Sequence, residues 1–154
     1  QGYGRIIQNS SVLGFVAMPY RGAYNASKFA VEGLSDTLRL ELNDTHIHVS
    51  LVEPGPVLSH FRANALVAMQ KYVDLESSVH RERYLSVLER LNKEGAAVPF
   101  TLPPEAVLKK VIYALEARKP KARYYVTFPT YLFGYLKRLL PTGTLDKILR
   151  QVGK

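Results

Sequence analysis

Two short apolar runs on either side of a long helical stretch limit what this chain can fold into. Arg5-Ile6-Ile7-Gln8-Asn9-Ser10 and Val49-Ser50-Leu51-Val52 read as buried strands, the first with its Ile pair between polar ends. Between them, residues 22–43 keep a helical period. Val31, Leu34, Leu38 and Leu42 form an apolar stripe there, and Ala26, Ala30 and Gly33 form a strip of small residues that suggests close approach of another element. Strand, helix and strand in that order predict a parallel pair with a crossover. The pattern then repeats. Pro103-Pro104-Glu105 opens a helix with Leu108, Val111, Ile112 and Leu115 on one face, Pro120 closes it, and Arg123 to Phe128 reads as a third strand. The expected fold is α/β, with about three parallel strands and helices between them.

Ligands of such sheets bind beyond the carboxyl ends of the strands. Three groups converge on that edge. Ser11 follows the first strand, and Tyr24 and Lys28 stand four apart on the helix, one turn from each other on one face. A free phenol titrates near about 10 and is a poor acid or base at neutral pH; a neighbouring ammonium favours the phenolate. A hydroxyl beside them holds a carbonyl oxygen while the phenol protonates it, chemistry that suits hydride transfer with a nicotinamide. From this chain's composition, the spacing Ser-x12-Tyr-x3-Lys should arise by chance only about 0.04 times. Pro54-Gly55-Pro56-Val57 ends the second strand, its prolines fixing the backbone and its glycine admitting a close neighbour.

The wording around these positions resembles the short-chain dehydrogenase/reductase family. The stretches that carry the resemblance are Asn9-Ser10-Ser11 with Gly14, Ala23-Tyr24-Asn25-Ala26-Ser27-Lys28-Phe29-Ala30, and Val52-Glu53-Pro54-Gly55-Pro56-Val57. Glu53 through Phe61 and Lys119-Pro120-Lys121-Ala122-Arg123-Tyr124 look most like the bacterial NADP-linked aldehyde/ketone reductases, themselves similar to steroid and retinol dehydrogenases. The resemblance implies a hydride-transferring oxidoreductase acting on an aldehyde, ketone or alcohol. In that reading Tyr24 is the acid/base, Lys28 supports it and holds the ribose hydroxyls, and Ser11 positions the carbonyl. Pro54 and Gly55 flank the nicotinamide, the Val57 backbone meets its carboxamide, and Ser59 stands where the family usually has Thr. Substrate contacts are expected from Ser11, Leu13, Tyr20 and Phe61, the cofactor is NADP(H) ahead of NAD(H), and the full-length protein is expected to be a homo-oligomer with the Tyr24 helix in its interface.

The family's glycine-rich phosphate loop and its Asn-Asn-Ala-Gly strand have no counterpart in the 154 residues, and the chain opens without Met directly before a strand. It is expected to be the C-terminal half of a doubly wound Rossmann-type sheet, inactive by itself. Residues 5–58 make the catalytic core, 59–102 a substrate lid, 103–128 a helix and the last strand, and 129–154 amphipathic C-terminal helices. In the lid, Ser59 caps a helix carrying Phe61, Leu66 and Met69, and a second helix spans about residues 76–94 with Tyr84, Leu88 and Leu91 on one side. These apolar and aromatic residues suggest a small hydrophobic substrate. The last helices carry the stripes Leu132, Tyr135, Leu136, Leu139 and Leu145, Ile148, Leu149, Val152 beside Lys137, Arg138, Lys147 and Arg150. Packing on the sheet is the first reading for them, with peripheral contact to anionic membrane and partner binding as alternatives.

The absence of Cys excludes disulfides and thiolate chemistry and fits a cytoplasmic setting. The net charge of +8 invites nucleic acid, yet no basic stripe interleaved with stacking aromatics supports such a partner. His46 and His48 lack a third metal ligand at suitable spacing, so they read as solvent-facing residues at a strand start and no metal is expected. A rival reading is a catalytically silent dinucleotide-binding or membrane-associated scaffold of the same fold. A sugar epimerase of the extended branch shares Tyr-x3-Lys but fits the Pro-Gly-Pro loop less well.

Overall fold

The computed structural model describes residues 2–96 and 98–152. Strand β1 (Tyr3–Asn9) leads through a 3-10 turn (Val12–Gly14) to helix α1 (Gly22–Glu41), then β2 (His46–Glu53). Helices α2 (Phe61–Tyr72), α3 (Arg81–Asn92) and α4 (Glu105–Glu116) precede β3 (Arg123–Tyr125), and α5 (Phe128–Leu139) and α6 (Thr142–Val152) complete the chain. The three strands are parallel in the order β1-β2-β3, with Asn9 level with Val52 and Glu53 level with Tyr125. His46 and His48 are exposed at the start of β2.

Alternation along the strands sorts the helices onto two layers. Val52 and Tyr124 pack with Ala114, Val107 and Val111 of α4. Their neighbours Glu53 and Arg123 turn the other way, where Arg123 meets Glu32 and Asp36 of α1. Helices therefore cover both faces, the arrangement of a doubly wound sheet. A second core joins the 3-10 turn to the C-terminal helices through Val12, Leu13, Val16, Phe133, Leu145 and Leu149. For α6 this packing settles the orientation of its stripe: Leu145 and Leu149 are buried and Val152 is not.

Several helix faces differ from the sequence reading. The buried residues of α1 are Asn25, Glu32 and Ser35, while Leu34 is 68% exposed and Ala26, Ala30 and Gly33 face outward. A helical period says which residues share a face but not which face meets the sheet; here the ion pairs from Arg123 to Glu32 and Asp36 make that choice. In α4, Ala114 is buried and Leu108, Ile112 and Leu115 are exposed. In α5, Thr130, Phe133 and Gly134 face inward and Leu132, Tyr135 and Leu139 outward, because Gly134 lets the Tyr125 ring lie against the helix. The third strand stops at Tyr125, since the extended Thr127 starts α5. The helix expected over residues 76–94 begins only at Arg81; upstream, Asp74 Oδ1 accepts from the Glu76 N–H at 3.1 Å and turns the chain.

Candidate active site

Parallel pairing continues past the end of β1 and fixes the serine turn. The Ser10 N–H donates to the Val52 carbonyl at 2.8 Å and the Val12 N–H to the Pro54 carbonyl at 2.8 Å, so Ser10 lies level with Glu53 and Ser11 with Pro54. Ser11 is buried, and its Oγ accepts from the Leu13 N–H at 3.1 Å. That bond uses an oxygen lone pair and leaves the hydroxyl hydrogen free to donate. Leu13, expected on the substrate side, is instead packed into the core with Val16 and Phe133.

Helix α1 brings the other two groups to the same edge. Lys28 Nζ donates to the Asn9 carbonyl at 2.9 Å, tying the helix to the end of β1 two residues before Ser11. The same ammonium lies 5.8 Å from the centre of the Tyr24 ring. Tyr24 packs against the Val12–Leu13 core and meets Phe61 edge-on, centroids 5.2 Å apart. Phe61 thereby brings α2 over Tyr24. Tyr20 has φ 60° and contacts His80 at 6.0 Å and Tyr84 at 6.1 Å, joining the loop before α1 to α3. Arg21, at the start of α1, is held down to about 10 by burial and then by Arg90, and no sequence motif singled it out.

The Pro54–Ser59 loop presents its backbone. Val57 forms a parallel bridge with Leu102, in which the Leu58 N–H donates to the Leu102 carbonyl and the Leu102 N–H to the Pro56 carbonyl. In that geometry the Val57 N–H points away from Leu102, and no described backbone group accepts from it. Ser59 Oγ accepts from the Phe61 N–H at 3.3 Å as α2 begins. Gly55 differs from the expectation. The room left by its missing side chain is filled by Thr127 Oγ1, with Thr130 Oγ1 2.9 Å from where a Cβ would stand. The glycine serves contact between the loop and α5.

Sequence reasoning missed the charge network behind this edge, where Arg123 joins Glu32, Asp36 and Glu53. Its only advance sign was an acid inside the buried run at Glu53. Among the described residues no group of three or more His, Cys, Asp or Glu is placed to hold a metal.

A family model described as short chain dehydrogenase matches residues 1–69. The uncharacterized oxidoreductase YbbO of Escherichia coli K12 is 44% identical over 149 residues, covering 97% of this chain and 49% of that protein. The NADPH-dependent 3-dehydrocapnine reductase of Ornithobacterium rhinotracheale is 36% identical over 145 residues, 94% of this chain and 49% of that protein. A short chain dehydrogenase from Burkholderia cenocepacia J2315, solved in complex with NADP, superposes with a TM-score of 0.65 at 20% identity. It covers 96% of this chain and 49% of that one, a likeness of fold. The chain thus spans about half the length of the curated relatives it matches.

Proposed function

Because this chain belongs to the short-chain dehydrogenase family, we propose that the protein is an NAD(P)-dependent oxidoreductase that reduces a hydrophobic aldehyde or ketone, or oxidises the matching alcohol. The observation that carries this reading is the Lys28–Asn9 bond, which locks the helix bearing Tyr24 and Lys28 to the strand that presents Ser11. The groups along this edge suit a nicotinamide dinucleotide: Lys28 has two further N–H donors for ribose hydroxyls, and the unpaired Val57 N–H suits a carboxamide oxygen. Pro54, Gly55 and Ser59 complete that border. When bound, the nicotinamide supplies the hydride. Ser11 donates to the substrate oxygen and orients it, and Tyr24 delivers the proton to that oxygen. The Lys28 ammonium offsets the negative charge Tyr24 then carries. Phe61 from the lid and Tyr20 from the loop before α1 border the substrate, and their rings favour an apolar body next to the carbonyl.

NADP(H) is the proposed cofactor ahead of NAD(H), supported by the NADPH dependence of the similar dehydrocapnine reductase. The outward strip Ala26, Ala30, Gly33 on α1 suits a second copy of the protein, in keeping with the proposed homo-oligomer. The test is NADPH oxidation by the full-length protein with medium-chain aldehydes and ketones. Tyr24→Phe is expected to lower kcat/KM by about a hundred- to ten-thousandfold, as loss of a proton-transfer group does. Unchanged turnover in that variant refutes the assignment.

A further inference from the structure

Behind Ser11, one arginine gathers three acids. Arg123 Nη2 donates to Glu32 Oε2 at 3.1 Å and to Asp36 Oδ2 at 2.7 Å, and its Nε stands 3.1 Å from Glu53 Oε1. Asp36 has a second partner in Arg39, at 2.9 Å. Glu53 is completely buried and Glu32 is 7% exposed. Yet neither Glu53 oxygen, nor Glu32 Oε1, nor Ser10 Oγ has a hydrogen-bond partner among the described residues. The Glu53 and Glu32 carboxyls meet at the one Arg123 guanidinium, Glu32 Oε2 against Nη2 and Glu53 Oε1 against Nε, each at 3.1 Å. Two carboxylates repel across such a contact, whereas a carboxyl and a carboxylate bond, and one proton then serves an oxygen on each.

This pair lies directly under the serine turn. A Cβ on Gly14 would come within 2.6 Å of Ser10 Oγ and 3.0 Å of Glu32 Oε1, so the turn rests on the Glu32 carboxyl with no side chain between. Two strand-like bonds from Ser10 and Val12 put Ser10 level with Glu53, one residue before Ser11. Glu32 is four residues past Lys28 and eight past Tyr24, on the same side of α1. The pair therefore contacts both the element that carries the hydroxyl and the element that carries the phenol and ammonium.

We propose that Glu53 and Glu32 share one proton beneath the Ser11 turn and, clamped by Arg123, act as positioning residues that hold Ser11 in register with Tyr24 and Lys28. The positioning role rests on the oxidoreductase reading; the shared proton does not. The charged and titratable groups around the pair are Asp36 and Arg39 from α1, Arg123 and Tyr125 from β3, and Arg138 of α5, which acts through Tyr125. With the proton in place, Glu32 and Asp36 balance Arg123 and Arg39. Without it, an extra buried negative charge pushes the two carboxyls apart and lifts the turn. Burial, and then Glu32, push Glu53 up to about 8, so the proton is retained at neutral pH.

Two measurements on the full-length protein test this separately. The urea unfolding midpoint, followed from pH 5 to 8, is expected to fall with pH in the wild type and to lose most of that slope in Glu53→Gln, which mimics the protonated acid. An unchanged slope in Glu53→Gln overturns the shared proton whether or not the protein turns over any substrate. For positioning, Glu53→Ala is expected to lower kcat about tenfold or more with KM within about threefold, and Glu53→Gln to recover most of it. The wild type is expected to lose kcat above pH 8 and Glu53→Gln to lose less. Equal defects in the two variants, or a loss confined to KM, overturn the positioning role. If Glu53→Ala does not fold, Glu32→Gln takes its place: as a partner that keeps shape without sharing the proton, it is expected to flatten the same pH slope, and a wild-type slope overturns the proposal. A Tyr24→Phe variant that keeps full activity refutes the oxidoreductase reading while leaving the unfolding result to stand alone.

Discussion

At Gly55 a methyl group would run into Thr127 Oγ1 and come within 2.9 Å of Thr130 Oγ1. Gly55→Ala is expected to destabilise the fold by about 1–3 kcal/mol, the usual effect of overpacking. Thr127→Ala removes the obstructing oxygen, so the double variant should lose less than the sum of the single losses; strict additivity in urea unfolding refutes the contact. The sign of the Glu53 effect follows from its two protonation states. In the unfolded chain the carboxyl titrates near 4.5, and in the fold near 8. Between those values the folded state holds a proton that the unfolded state has released, so stability is full below 4.5 and declines as pH rises toward 8. The slope is at most about 1.4 kcal/mol per pH unit for one proton. Asp36, which the Arg123 hydrogen bond holds below the usual carboxylate range, acts only at more acidic pH. A denaturation midpoint that rises between pH 5 and 8 contradicts this account.

Among the elements, α6 is a short helix whose hold on the molecule is apolar. Leu145 and Leu149 are 6% and 5% exposed and pack with Val12, Leu13, Val16 and Phe133 under the serine turn. Leu149→Ala is expected to cost about 2–5 kcal/mol and to lower kcat as the turn loses its support. A loss below 1 kcal/mol, measured by chemical denaturation, would show that α6 does not anchor the site. Helix α5 combines two roles. Its inner face holds Phe133 and Gly134, while Phe128, Tyr131, Leu132, Tyr135 and Leu139 form an outward apolar stripe flanked by Arg138.

Across the whole molecule, order is expected to be uneven. Neither α2 nor α3 contains a buried residue, whereas β2 is buried from Val49 to Glu53. Local opening follows buried contact, so amides of α2 and α3 should exchange with solvent well before those of β2. Hydrogen exchange followed by mass spectrometry checks this, and equal protection in both regions argues against a lid that opens separately from the sheet.

Much of this arrangement was legible in the residue order. Val49 to Val52 are buried as expected, whereas Ile6 and Ile7, read as buried, are only half-buried because β1 is an edge strand of the sheet; a helical period between the two runs still leaves a parallel crossover as the physical solution. The local spacing of Tyr24 and Lys28 put them on one side of α1. Pro54-Gly55-Pro56 marked the end of β2, because proline cannot continue a strand's hydrogen bonding. Tertiary structure alone decided which side of each helix meets the sheet. A period fixes relative angles within a helix, and the rotation of α1 that buries Glu32 while Val31, Leu38 and Leu42 stay half-buried goes with its ion pair to Arg123, more than eighty residues away. The same long-range contact made Glu53 a buried acid with an acidic neighbour, a state that no local pattern encodes because charge burial depends on what the rest of the chain brings alongside.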